Sequence, residues 1–237
     1  LLYRVHAQSR LFEEALRRFN LPYRVIGGLR FYERAEVKDL LAYLRLIQNP
    51  DDDVSLLRVI NTPPRGIGDR TVERLLDRAA QGGTSVFRAL CTAQDDPAHA
   101  SAARASLARL REFLELLRTL ATDGERPSRL AETVLAETGY TASLQDDDTP
   151  ETDAKLENLR ELVGSLIDFE GEASDPSLGA FLEMVTLQSE IDEMDASDAI
   201  TLMTVHAAKG LEFPVVMVVG REEELFPNRG TRPEDDP

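Results

Sequence analysis

A single cysteine, Cys91, leaves no disulfide framework to staple this chain. The fold must rest on a buried apolar core, and the low cysteine use fits a reducing compartment. No apolar run approaches the roughly 18–20 residues that a membrane-crossing helix needs, and no signal-peptide succession opens the sequence. An initiator methionine is also missing. The chain begins on Leu1-Leu2-Tyr3, as expected of a piece of a longer protein. There is no GxxxxGK[ST] cradle: Lys209 precedes Gly210 outside any such loop. Phosphoryl transfer needs a phosphate cradle, a metal ligand and neutralisation of developing charge, so no such activity is expected from these residues alone. Internal repeats and low-complexity segments are absent as well.

Positive charge is scarce: 27 Lys+Arg stand against 43 Asp+Glu, a net charge of −16. That total argues against a nucleic-acid partner, but its distribution does not. Residues 1–78 carry 14 Lys+Arg and 11 Asp+Glu, whereas residues 79–237 carry 13 and 32. A weakly basic first third is joined to an acidic remainder. The clusters 146–148 and 190–198 are expected to be solvated faces or loops.

With 237 residues, 42% apolar and 30% charged, the chain can hold one large domain or two small ones. Leu1–Val5 and Pro22–Ile26 read as strands around a helix Gln8–Arg18, a βαβ-like unit with a parallel sheet. From Leu29 to Met194 the apolar positions recur at helical spacing: Val37/Leu40/Leu41/Leu44, Leu107/Leu110/Leu114/Leu117, Leu156/Leu159/Val163/Leu166 and Phe181/Val185. Asp53, Thr84, Ser128 and Ser177 are plausible N-caps and Gly139 a stop. Strand signals return at Ile200–Val205 and Pro214–Val219, read as two buried strands. The expected fold class is an α/β sheet interrupted by a large all-α insertion.

Residues 51–79 hold the first chemical signal. A short helix, Val54–Ile60, should end before Pro63. Arg65-Gly66-Ile67-Gly68 should turn the chain into a second helix, opened by Asp69 or Thr71. The glycines let the backbone approach another chain closely and adopt positive φ, and Ile67 can plug the core between the helices. The amides of residues 66–71 would then project at a helix N-terminus, which attracts a phosphate. Arg65, Arg70, Thr62 and Thr71 stand around that nest. Such an arrangement binds a DNA backbone without reading sequence. The simpler alternative is an ordinary helix–helix corner.

The second signal is the elbow Thr204-Val205-His206-Ala207-Ala208-Lys209-Gly210-Leu211-Glu212. A hydroxyl and an imidazole can hydrogen-bond a phosphate without strong charge, and a carboxylate can accept both hydroxyls of a ribose. Arg34, Lys38 and Arg45 share one helical face, a possible phosphate strip but more simply a solvated one.

Together these segments resemble the UvrD/Rep/PcrA-type superfamily 1 DNA helicases. Residues 201–216 are similar to the family's motif V. Residues 66–68 resemble the GIG element of its subdomain 2B, residues 1–16 a loop that grips single-stranded DNA, residues 27–50 the entry to 2B, and residues 220–228 the stretch after motif V. The resemblance implies a RecA-like partial sheet (2A) over 1–28 and 199–237. Between them, 29–198 would be the all-α 2B, with a helix-hairpin-helix-like element at 54–79. It implies single-strand contacts by Arg4, His6, Thr204, His206 and Asn228, although the family usually has Asn where His6 stands. It implies nucleotide contacts by Gly210 and Glu212, with ATP and Mg2+ held largely elsewhere in a full-length enzyme. Walker A, Walker B and motif VI are not in this sequence. The implied function is part of an ATP-dependent 3′→5′ helicase of DNA repair or replication in the bacterial cytoplasm. It would act on single strands and junctions, not membranes, with room for repair-protein partners on the acidic helical part. A stand-alone duplex-binding module and the helicase half of a helicase–nuclease are the rival readings.

Overall fold

The computed structural model describes residues 1–3, 8–26, 31–93, 101–145, 149–191, 199–205 and 207–220. Its contacts divide the chain into two units: Leu1–Arg34 with Ile191–Pro237, and Ala35–Glu190. The described residues form a mostly helical protein with a small parallel sheet.

In the first unit β1 (Leu2–Tyr3), α1 (Ser9–Arg18) and β2 (Tyr23–Ile26) come from the start of the chain and β3 (Ile200–Thr204) from near its end. The sheet is parallel as expected, but its order is β1-β3-β2. The two N-terminal strands are therefore not neighbours. β3 pairs with both, Leu2 opposite Met203 and Tyr23 opposite Ile200. Val205 N–H donates to Tyr3 O at 2.9 Å, and Ile200 N–H to Pro22 O at 2.8 Å. Tyr3, Leu16 and Leu202 form the buried centre of this unit.

The run Pro214–Val219 is not the buried strand that its composition suggested. β1 is so short that it offers one bridge, Leu2 to Val218, held by Leu2 N–H to Met217 O at 2.8 Å and Val219 N–H to Leu2 O at 2.9 Å. Val215 is 72% exposed and Met217 58%. They line an apolar cleft of about 490 Å3 with Leu1, Leu2, Leu16 and Phe213.

α1 forms where a helix was expected, with an unusual buried side. Its buried side includes Ser9, Arg10 and Glu13 beside Leu16, while Leu11 and Phe19 face out. The buried polar side is held by hydrogen bonds, as buried charge requires. Ser9 Oγ donates to Glu13 at 2.5 Å, and Arg34 donates to Ser9 Oγ at 2.8 Å. Burial, reinforced by the Glu13 carboxylate, pushes the Tyr3 phenol up to about 12.

The second unit is built on α2 (Ala35–Gln48), whose Val37, Leu40, Leu41 and Leu44 are all buried as their spacing required. It packs against α3 (Asp53–Val59), α6 (Ser101–Thr122), α7 (Pro127–Glu137) and α9 (Pro150–Glu172). α4 (Asp69–Gly82), α5 (Val86–Ala93), α8 (Tyr140–Gln145) and α10 (Leu178–Ile191) complete it. On α9 Leu162 is fully buried, as is Leu166, whereas Val163 is half-buried. Each such leucine contributes about 1.5–3 kcal/mol on burial.

Two caps lie one residue from their expected positions. Asp52 caps α3 at Ser55 N–H, 3.0 Å, because Asp53 instead accepts from Val86 N–H at 2.7 Å. Ser85, not Thr84, accepts from Arg88 N–H in α5. Ser128 lies within α7 and donates through amide and hydroxyl to Glu170 at 2.6 and 2.9 Å. Ser177 does cap α10, accepting from Ala180 N–H, and Gly139 separates α7 from α8 at φ +68°. Among the described residues no helix is long and apolar enough to cross a membrane. The acidic residues 146–148 and 192–198 lie outside the described residues.

Candidate nucleic-acid interface

The turn between α3 and α4 is built as a helix–turn–helix with an open second N-terminus. α3 stops at Val59 ahead of the buried Pro63. Gly66 has φ +72°, the left-handed region that favours glycine. Ile67 is 2% exposed and fills the core under the turn. Gly68 is the N-cap of α4 with φ −83° and ψ 168°, and no side chain caps the helix. Its carbonyl accepts from Thr71 N–H at 2.8 Å and Val72 N–H at 3.2 Å. The first-turn amides of Asp69 and Arg70 are thus left without a side-chain partner at the positive end of a helix dipole. Gly66, Gly68, Asp69 and Arg70 are exposed, and Thr62 and Thr71 half-buried. A Cβ on Gly68 would meet nothing within 4 Å. Its glycine is therefore not required by the fold, and its effect is to leave the amides approachable. Asp69 suits the dipole but opposes an anion; within residues 65–71 it stands against Arg65 and Arg70.

Arg65 points the other way from expectation. Its guanidinium turns inward and donates to Val59 O at 2.9 Å, to Pro63 O at 3.1 Å and to the Tyr43 hydroxyl. Two backbone carbonyls and the Tyr43 hydroxyl of α2 hold the fork that was expected to meet a phosphate. Tyr43 OH in turn donates to Thr62 O at 2.7 Å, and its ring centroid lies 5.8 Å from the guanidinium. Burial pushes this phenol up to about 12 despite the neighbouring cation. Asn61 Oδ1 accepts from Arg65 N–H at 2.7 Å and from Ile67 N–H at 3.3 Å. Ser106 on α6 donates to Arg65 O at 2.8 Å. Asn61, Tyr43 and Ser106 were not singled out by sequence. Asn61, four residues before Arg65 in a Pro- and Gly-bearing turn, carried a local signal. Tyr43 and Ser106 carried none, because their helices are brought to the turn by packing.

The elbow after β3 lies in the first unit. Thr204 ends the strand; its Oγ1 accepts from Ala207 N–H at 3.2 Å and its carbonyl from Ala208 N–H at 3.1 Å. Gly210 has φ +83°, so the reversal there needs glycine. Lys209, Gly210 and Glu212 are exposed. A hydroxyl at the strand's C-terminal end and an exposed carboxylate eight residues later fit a ligand over that edge, where parallel sheets bind them. Arg4, His6, His206 and Asn228 lie outside the described residues. The possible strip Arg34/Lys38/Arg45 does not form as one: Arg34 is 6% exposed and belongs to the polar network of α1, while Lys38 and Arg45 are exposed.

A family model described as the UvrD-like helicase C-terminal domain matches residues 1–235. The ATP-dependent DNA helicase PcrA of Bacillus subtilis (strain 168) is 42% identical over 235 residues, covering 96% of this chain and 32% of that protein. PcrA of Staphylococcus aureus (strain Mu50) is 41% identical over 241 aligned residues, covering 100% of the chain and 32% of the relative. PcrA of Staphylococcus epidermidis is 40% identical, with the same coverage of 100% and 32%. The chain therefore spans about a third of the length of these relatives.

Proposed function

The chain belongs to the UvrD-like helicase C-terminal domain family, and from that premise we propose that it is the duplex-gripping part of a 3′→5′ ATP-dependent DNA helicase acting in repair or replication in the bacterial cytoplasm. In this reading the sheet unit is a portion of the second RecA-like domain, 2A, and the helical unit is the regulatory insertion, 2B. The uncapped N-terminus of α4, entered through Gly66-Ile67-Gly68, carries the proposal. It offers backbone amides to a phosphate without reading a base. Gly68, Arg70, Thr71 and Thr62 would line that contact.

On the sheet unit, Thr204 and His206, with Arg4, His6 and Asn228, would track the single strand at a junction. A hydroxyl hydrogen-bonds a phosphate yet lets it slide, which suits a translocating track. Gly210 and Glu212 would meet the ribose of ATP. Mg2+ and the triphosphate belong, in this reading, mainly to other parts of the longer protein, since phosphoryl transfer needs a phosphate cradle and this sequence has no GxxxxGK[ST] loop. The acidic helical surface would be free for repair-protein partners.

The test compares variants of the full-length helicase. Gly68→Ala should reduce unwinding more than single-strand-stimulated ATP hydrolysis. Thr204→Ala should damage that hydrolysis first. Equal loss of both activities in both variants would overturn the division of labour.

A further inference from the structure

We infer that Tyr43 and Arg65 are positioning residues for the duplex grip, holding the carbonyls of the turn inward so that its amides face the DNA. The inference rests on the duplex-binding reading of residues 62–71. A backbone turn presents both polarities, and a phosphate is attracted by N–H groups and repelled by C=O groups. Here four carbonyls, those of Val59, Thr62, Pro63 and Arg65, each accept from a side chain. The amides of Arg65 and Ile67 are taken by Asn61. The first turn of α4 is left as the uncapped donor set. The clamp therefore sorts the turn's dipoles, with acceptors bound inside around a cation and donors outside.

Tyr43 is the keystone. Its hydroxyl accepts from Arg65 and donates to Thr62 O, and its ring stands edge-on to Phe113 of α6, 6.4 Å away. At 1% exposure it cannot touch DNA itself, so any effect on binding passes through the turn. Arg65 serves by shape as well as charge. A lysine ammonium lacks the fork that reaches Val59 O, Pro63 O and Tyr43 together. A direct phosphate contact, by contrast, would accept lysine as a point charge.

The experiment titrates a fluorescent duplex with the 237-residue chain and its Tyr43→Phe, Arg65→Lys and Gly68→Ala variants, well below the melting temperature. Amide hydrogen exchange is followed in parallel. Tyr43→Phe and Arg65→Lys are each expected to weaken binding by about 3- to 10-fold, as the turn loses side-chain hydrogen bonds that hold its carbonyls inward. They should speed exchange at the Ile67 amide while the rest of the helical unit exchanges as in wild type. If Gly68→Ala weakens binding while either Tyr43→Phe or Arg65→Lys binds like wild type, the clamp is refuted and the duplex site stands. Faster exchange throughout the helical unit with unchanged affinity would reduce Tyr43 to a stability role and also refute it. If Gly68→Ala binds like wild type, the duplex site itself falls and this inference with it.

Discussion

Gly66 and Gly68 are two residues apart, yet alanine should act oppositely at each. At Gly66 the backbone sits at φ +72°, and a Cβ there would meet no atom within 4 Å. The cost of Gly66→Ala is thus purely conformational, about 1–2 kcal/mol for an L-residue in the left-handed region. At Gly68 the backbone is ordinary, φ −83°, and the space is equally open. Gly68→Ala should leave stability unchanged or raise it by about 0.4–1 kcal/mol through the unfolded chain. For a unit of this size 1 kcal/mol moves the melting temperature by roughly 2–4 °C. Circular-dichroism melts should therefore show Gly66→Ala lower by a few degrees and Gly68→Ala level or higher. Duplex binding on the same preparations should fall about 5- to 100-fold for Gly68→Ala. Its methyl group keeps a phosphate from the α4 amides, and a charge-assisted hydrogen bond is worth about 1–3 kcal/mol. A Gly68→Ala protein that melts as low as Gly66→Ala would refute the backbone argument. One that is stable and binds like wild type would refute close approach.

The salt dependence of duplex affinity should be shallow, with a log–log slope no steeper than about −4, because log K falls by about 0.9 per neutralised phosphate and few cations stand at the turn; a slope near −8 would contradict it. Leu107→Ala, at a site with 0% exposure on α6, should cost about 2–5 kcal/mol in urea unfolding, and a loss under 1 kcal/mol would show that this face is not core. Absorbance at 295 nm during alkaline titration should show Tyr3 and Tyr43 ionising near 12 and Tyr140 later than an ordinary phenol, driven by burial and then its bond to Asp39. Since these folded values lie above the unfolded one of about 10, their contribution to stability is full below pH ~10 and is lost as pH rises towards 12; five tyrosines titrating together near 10 would refute the burial. The 237-residue chain alone should hydrolyse no ATP, and DNA-stimulated turnover by a preparation free of contaminating enzyme would overturn that.

Helical periodicity was legible because it depends on spacing alone: Val37, Leu40, Leu41 and Leu44 are buried together whatever they pack against. The same holds for the turn, where Pro63 and two glycines announce a stop, a reversal and a restart within six residues. The caps of α3 and α5 were legible only to within a residue, since Asp52 and Asp53 are chemically equal and the choice fell to which one Val86 N–H met, while Ser128 lies inside α7. The buried side of α1 was not legible for a related reason. The helix over Gln8–Arg18 could be read, but not that its buried side carries Ser9, Arg10 and Glu13, which is tolerable because Arg34, Tyr23 and Glu14 reach them from other positions.

From sequence alone came the helical insertion between strand segments, the glycine-bearing turn, the elbow at Gly210 and the family resemblance. Each is carried by residues close together in the chain, where backbone sterics and periodicity act locally. Tertiary structure alone decided that β3 lies between β1 and β2, that Pro214–Val219 stays exposed, and that Arg65 faces inward to Tyr43. Those outcomes depend on partners far along the chain, Tyr43 for Arg65 and Leu2 for Val218. A strand's neighbour and a guanidinium's acceptor are settled by whichever surface satisfies hydrogen bonds at least cost in buried charge, and that surface exists only once the chain has folded.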